Sequence, residues 1–250
     1  MVEVAIENKE NSEEDIVEER KRKILSIIKT NSDWISYIIL ILLIILAVHI
    51  RTGPMEINPN TGNPGLWDIT TNSWTLGPDL DPFLFLRWAE YIDAHGSLFD
   101  NDEMRYVPLG FDVRGELILH PYMMAWFHKI ASVFGSTSVT QSAVIYPVVF
   151  FALTVIIFFF MTREMFIDSL KKRTANVIAL ISSFFLIVLP PLLPRTIAGI
   201  PEKESAGFFF IFLAFFLFLK AWKAKKLQNA LLFSFLTALF KETFRFKRKW

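Results

Sequence analysis

In this 250-residue chain, two short stretches carry side chains suited to holding a divalent cation and a phosphate. Glu202 and Glu204 stand two apart in Arg195-Thr-Ile-Ala-Gly-Ile-Pro-Glu-Lys-Glu-Ser, with Arg195 seven residues before the pair. Asp81 stands in Gly77-Pro-Asp-Leu-Asp-Pro-Phe. Hard cations take several oxygen ligands, and carboxylates supply them with charge to match. An arginine beside them matches the paired oxygens of a phosphate. Each stretch also has a plainer reading. Asp81 before Pro82 has the form of an N-cap followed by proline at the first helical position, and Glu-x-Glu can be an ordinary polar loop.

Other chemistries are poorly supplied. The chain has no Cys, which removes disulfides, thiolate zinc sites and thiol nucleophiles together. Its four His residues, His49, His95, His120 and His128, are scattered without a zinc-pair spacing. His120 is a candidate further ligand, or a capping or interfacial residue. No Gly-rich phosphate loop and no Gly-x-Ser-x-Gly occurs.

The elements that must position these residues are apolar. Ile35 to Ile50, Ala143 to Met161, Val177 to Leu193 and Ala206 to Trp222 are each close to the roughly 17 to 25 residues needed to cross the hydrocarbon of a membrane. Leu227 to Phe240 is shorter. The expected fold is therefore an all-α, polytopic transmembrane helical bundle with four full spans and an incomplete fifth. Within the runs there is essentially no charged residue, which disfavours a transporter with an intramembrane ion pathway. The clustered phenylalanines, among 26 in the chain, read as lipid-facing or inter-helix packing.

Charge fixes the expected orientation. Lys and Arg crowd the segments before the first run, between the second and third, and after the fourth. The segment 51–137 instead carries five basic residues against eleven acidic. By the positive-inside rule the N-terminus is cytoplasmic, and 51–137 and 195–205 are external loops. The formal net charge of +1 is thus a cancellation between two sides. Both candidate stretches fall on the same, acidic side. Within the first external loop, Leu84 to His95 and His120 to Phe134 have helical spacing, and Tyr106 to Gly110 reads as a proline turn. Residues 1–33 form a charged tail, 34–240 the membrane part, and 241–250 a basic ending.

At the two loops the chain resembles the catalytic subunit of the oligosaccharyltransferases, membrane glycosyltransferases of the C-type fold. The likeness rests on Asp81, Pro82, Phe83 and Arg87, then Glu90, Tyr91, His95 and Gly96, on Tyr106, Pro108 and Gly110, and on Arg195 to Gly199 leading into Glu202 and Glu204. It covers roughly 35–240 and implies metal-dependent transfer of a lipid-linked oligosaccharide, on a dolichyl phosphate or diphosphate type of carrier, to asparagine in Asn-x-Ser/Thr acceptor polypeptides. It implies Mg²⁺ or Mn²⁺ as cofactor, with Asp81, Glu202 and Glu204 as catalytic metal or acceptor-positioning ligands and Arg195 as a substrate contact. An archaeal host, and so the cell membrane, would suit this composition. The family's acidic pair more often contains Asp, whereas both members here are Glu.

The family is also far longer, with a C-terminal domain that binds the acceptor. The sequence-based expectation is an inactive N-terminal fragment, arising from truncation or frameshift where the chain turns basic after Phe240. The alternatives are another C-type glycosyltransferase, such as a protein mannosyl- or lipid-sugar transferase, or a non-enzymatic transporter or scaffold.

Overall fold

The computed structural model describes Arg20 and residues 32–116 and 118–243. The readings made for the charged tail before residue 32 and for the basic residues after Thr243 lie outside the described residues.

The described chain is mostly helical. Helix α1 spans Ser32–Thr52, α2 Leu80–His95, α3 Leu119–Val133, α4 Val139–Phe166, α5 Lys172–Val188, α6 Lys203–Lys223 and α7 Leu227–Thr243. Two short hairpins interrupt the expected all-α pattern. Strands β1 (Trp67–Asp68) and β2 (Ser73–Trp74) pair antiparallel, as do β3 (Asn101–Asp102) and β4 (Phe111–Asp112). Both lie in the long segment between α1 and α4, where Asp68 closes the first turn by accepting from Thr70 and Thr71. The two helices expected in that segment are present as α2 and α3. Gly96, at φ 82°, ends α2 with its N–H bonded to the Ile92 carbonyl at 2.7 Å. A left-handed glycine there satisfies a carbonyl the helix would otherwise leave open.

Among the described residues, three helices are long and apolar enough to cross a membrane: Trp34–Met55, Val139–Phe166 and Lys203–Lys223. The chain is an integral membrane protein of helical type. The run expected as a third span, Val177 to Leu193, does not form one continuous helix. Its helix stops at Val188 and a 3-10 segment, Pro190–Arg195, follows. Pro190 and Pro191 have no N–H to donate and force extended backbone on the residue before them. The resulting α5 has 17 residues, about 26 Å at 1.5 Å per residue.

The observed helices also overrun the apolar stretches from which they were read. As a result Arg51 lies in the last turn of α1 and Glu164 near the end of α4, both buried. The expectation of essentially uncharged spans fails for the helices themselves, with Arg51 in α1, Glu164 in α4 and Lys220 in α6.

Two ends of the bundle are defined by contacts. At one end Glu164 receives Lys220 at 2.7 Å, and Lys223 reaches Asp168 at 2.7 Å. At the other, the segment 196–199 is stitched to three elements by backbone bonds. Ala198 N–H donates to the Arg51 carbonyl, Gly199 N–H to the Val144 carbonyl, and Gly77 N–H to the Gly199 carbonyl, at 2.9, 2.9 and 2.8 Å. Beneath this junction lies a core of Trp88, Ala89, Met124, Val144, Tyr146 and Ala198. A second core, with Leu40, Phe151, Phe159 and Ile187, fills the bundle.

Candidate functional site

The two acidic stretches meet at the stitched end of the bundle. The close approach depends on Gly199, whose φ of 84° is open to glycine at little cost. A Cβ at that position would stand 2.6 Å from Leu66 Cδ1 and 3.1 Å from the Gly77 nitrogen. Glycine is therefore required twice over, for its dihedral and for its size.

Each stretch is placed at a helix N-terminus in the same way. Asp79 is the N-cap of α2 and Asp81 its second helical residue. Glu202 is the N-cap of α6 and Glu204 its second helical residue. Both acidic-x-acidic pairs so lie where unbonded N–H groups and the helix dipole favour negative charge. The plainer reading of Asp81 as N-cap is corrected by this register. Asp79 has the extended backbone of a cap, with φ −127° and ψ 144°, and the helix begins at Leu80. Pro82 is then the third helical residue, where its missing N–H costs no intrahelical bond.

Arg195 joins the stretches. Its Nη1 is ion-paired with Glu202 Oε2 and lies 3.8 Å from Asp79 Oδ2. The Asp79 side chain makes no capping bond to its own helix. The guanidinium is half exposed, while the Glu202 side chain is only 6 % exposed.

Burial and the adjacent Glu204, with a hydrogen bond to Asp79, push the Glu202 carboxyl up to about 7 against the opposing pull of Arg195. The Arg195 guanidinium is in turn held more firmly protonated, chiefly by the Glu202 charge. Glu204 Oε2 is buried without a hydrogen-bond partner. A buried carboxylate oxygen left this way is costly and is the kind of atom a cation or proton satisfies.

His120 approaches the same segment from α3. Its ring is fully buried and its Nε2 lies 2.9 Å from the Pro201 carbonyl oxygen. Burial pulls its pKa down to about 4, more than the Pro201 carbonyl and the Glu204 charge restore. The ring is neutral at physiological pH. The sequence leaves His120 as a candidate ligand, or a capping or interfacial residue; it is not the cap, which falls on Ile118, and its ring is buried within the protein.

Of the residues singled out by sequence, the structure brings together Arg195, Glu202 and Glu204. Asp81 is exposed on the first turn of α2. Among the described residues, no group of three or more His, Asp or Glu side chains converges closely enough to hold a metal ion. The donor chemistry nevertheless suits a divalent cation, through the unpartnered Glu204 oxygen and the neighbouring Glu202 carboxyl.

Sequence reasoning missed two residues. Asp79 carried a signal, since Asp79-Leu-Asp81 has the same spacing as Glu202-Lys-Glu204. Arg51 carried none. Its guanidinium is 0 % exposed, lies 3.3 Å over the Phe151 ring centroid, and donates to Thr196 Oγ1 at 2.9 Å and the Ile187 carbonyl at 3.2 Å.

Comparison with known proteins places this geometry in context. The family described as oligosaccharyl transferase STT3, N-terminal, matches residues 69–244. Among solved structures, the chain is similar to an oligosaccharyltransferase of Archaeoglobus fulgidus in complex with Zn and sulfate. The two are 20 % identical with a TM-score of 0.58, over 80 % of this chain and 24 % of that one. It is also similar to the archaeal oligosaccharyltransferase AglB of Archaeoglobus fulgidus in complex with an inhibitory peptide and a dolichol-phosphate. There the identity is 21 % and the TM-score 0.59, over 82 % of this chain and 23 % of that one. The chain spans about a quarter of the length of these relatives. No curated protein matches it.

Proposed function

Because this chain belongs to the STT3 family of oligosaccharyl transferases, matched in its N-terminal part, we propose that it carries part of a metal-dependent site for moving a lipid-linked oligosaccharide onto asparagine side chains of proteins. The observation that supports this most directly is the pairing of the buried Glu202 with Glu204, whose Oε2 is buried, joined by Arg195 to Asp79 at the end of the bundle where both acidic stretches meet. The relatives' zinc with sulfate, and peptide with dolichol-phosphate, are ligands of the corresponding classes.

In this reading Glu202 and Glu204 hold Mg²⁺ or Mn²⁺, with Asp81 brought to them from the exposed first turn of α2. The cation, when bound, withdraws charge from the departing lipid phosphate. Arg195 holds Glu202 in place and presents its half-exposed guanidinium to the phosphate oxygens. Asp79 keeps Arg195 from swinging away. Glu202 releases its proton on ligating, so the cation is held more tightly as pH rises through about 7. The acceptor is an Asn-x-Ser/Thr polypeptide and the carrier a dolichyl phosphate or diphosphate. In this proposal the N-terminus is cytoplasmic, the site faces outward, and α5 with its 3-10 extension completes a fourth crossing.

The test is Mn²⁺ titration of the purified full chain in detergent, read by paramagnetic resonance of the free ion. Micromolar to millimolar binding that falls at least tenfold in Glu202→Gln, Glu204→Gln and Asp81→Asn supports the assignment. A chain that binds no Mn²⁺, or three variants that bind like the parent, would remove it.

A further inference from the structure

Among the buried groups that this reading leaves unused, His120 stands out for the number of elements it joins. It lies at the second position of α3, is 1 % exposed, and touches three separate parts of the chain. Its Nε2 is 2.9 Å from the carbonyl oxygen of Pro201, the residue before Glu202. Its Nδ1 is 3.5 Å from the Tyr146 hydroxyl on α4. Its ring meets Phe85 of α2 edge to face, with centroids 4.9 Å apart.

The tautomer follows from the partners. A proline carbonyl only accepts, so Nε2 carries the hydrogen and donates it. Nδ1 is then the acceptor and the Tyr146 hydroxyl its donor. Tyr146 is itself fully buried. This polar chain, from Tyr146 through His120 to Pro201, runs inside an otherwise apolar junction of Phe85, Met124, Ala125 and Val144. A buried polar network of this kind is costly unless every member is satisfied, and when satisfied it fixes one arrangement.

That arrangement bears directly on Glu202. Pro201 has no N–H, so its carbonyl is the residue's single backbone hydrogen-bonding group. The peptide plane that the His120 bond fixes is the one that ends in the Glu202 nitrogen. Glu202 N–H donates to the Ile200 carbonyl at 2.8 Å, and the Glu202 carbonyl accepts from the Ser205 hydroxyl at 2.7 Å. His120 thus adds a direct side-chain tie from this turn to α3, beside the backbone bond from Gly199 to Val144 of α4.

We propose that His120 is a positioning residue for the acidic pair, setting the direction of the Pro201–Glu202 peptide through its Nε2–H and so the place of the Glu202 carboxyl relative to Glu204. This rests on the reading of Glu202 and Glu204 as cation ligands, but the positioning itself can be measured without any cation. Outer partners that orient metal ligands typically account for 10- to 100-fold in metal affinity.

Three variants separate the donor from the ring. His120→Phe keeps an aromatic body against Phe85 and Tyr146 and removes the donor. His120→Gln can place an amide N–H near the Nε2 position. His120→Asn reaches only the Nδ1 position. Two readouts are taken on the purified full chain: amide hydrogen exchange without metal, and Mn²⁺ affinity.

The expected result is exchange at 198–206 that rises at least tenfold in His120→Phe and His120→Asn, with α4 and the rest of α6 protected as in the parent. His120→Gln is expected to restore protection to within about threefold, and Mn²⁺ affinity to follow the same order, with a 10- to 100-fold loss for His120→Phe. Unchanged exchange at 198–206 in His120→Phe, or an equal rise along α4 and α6, would overturn the proposal, because the ring would then only fill space. A parent chain that binds no Mn²⁺ would remove the cation reading, while the exchange data would still decide whether His120 positions the turn.

Discussion

Arg195 and Glu202 form an ion pair of unequal halves, with the guanidinium side chain 48 % exposed and the carboxylate side chain 6 % exposed. The buried half pays for desolvation with a raised pKa, and the exposed half remains available to a further anion. A buried carboxylate at a helix N-cap, with a second carboxylate two residues on, binds either a proton or a cation.

The raised Glu202 pKa sets a pH dependence. An acid with a folded-state pKa above its unfolded value binds more protons when folded. Its contribution is therefore fully present below about pH 4.5 and is lost as pH rises through about 7. Relative to Glu202→Gln, the parent chain is expected to lose stability between pH 5 and 8, by at most about 3 kcal/mol. Thermal unfolding in detergent at several pH values checks this. Mn²⁺ affinity is expected to run the other way, about tenfold tighter at pH 8 than at pH 6, because the cation displaces the Glu202 proton.

Gly199 and Gly77 make a graded pair. Gly199→Ala forces a Cβ at φ 84° to within 2.6 Å of Leu66 Cδ1 and 3.1 Å of the Gly77 nitrogen. It is expected to cost about 2 to 4 kcal/mol and to loosen the segment 196–204. In Gly77→Ala the nearest atom is Ile200 Cγ1 at 3.2 Å, a side chain that can shift, so the loss is expected to be smaller. Melting temperatures of the two variants, measured side by side, test the order.

Arg51 is expected to matter for stability without touching a carboxylate. Arg51→Ala removes the donors to Thr196 and Ile187 and the stacking on Phe151, and leaves a cavity at the top of α1. A loss of about 3 kcal/mol is expected. Arg51→Met, which fills the space and carries no charge, is expected to recover part of it. Equal melting temperatures for the parent and Arg51→Ala would contradict this account.

At the opposite end, Glu164 pairs with Lys220 and, more distantly, Lys223. Replacing both lysines with Met leaves a mostly buried carboxylate without its counter-charges, whereas Glu164→Gln removes the charge itself. The double lysine variant is expected to be the less stable by about 2 kcal/mol or more. Thermal unfolding of both variants, in the same detergent and at the same ionic strength, checks the order.

Much of this architecture was legible in the residues. Apolar runs of membrane length marked α1, α4 and α6, because a helix that meets lipid on most sides must be apolar on most sides. Gly96 marked the end of α2. The register from Arg195 to Glu204 marked both the family and the acidic pair. Helix ends were less legible, since caps and prolines act over one or two residues. Pro190 and Pro191 divided a run that hydropathy read as whole, and the cap of α2 fell on Asp79 rather than Asp81.

What the sequence determined by itself is which residues carry charge, and that both acidic stretches lie in segments joining apolar runs. The tertiary structure decided which charges meet. It placed Asp79 near Arg195, left Asp81 on an exposed turn, buried Arg51 over Phe151, and set His120 against Pro201. It also bonded Arg51 to Thr196, 145 positions away. Local spacing constrains neighbours along one helix, whereas contacts between helices depend on packing across the whole bundle.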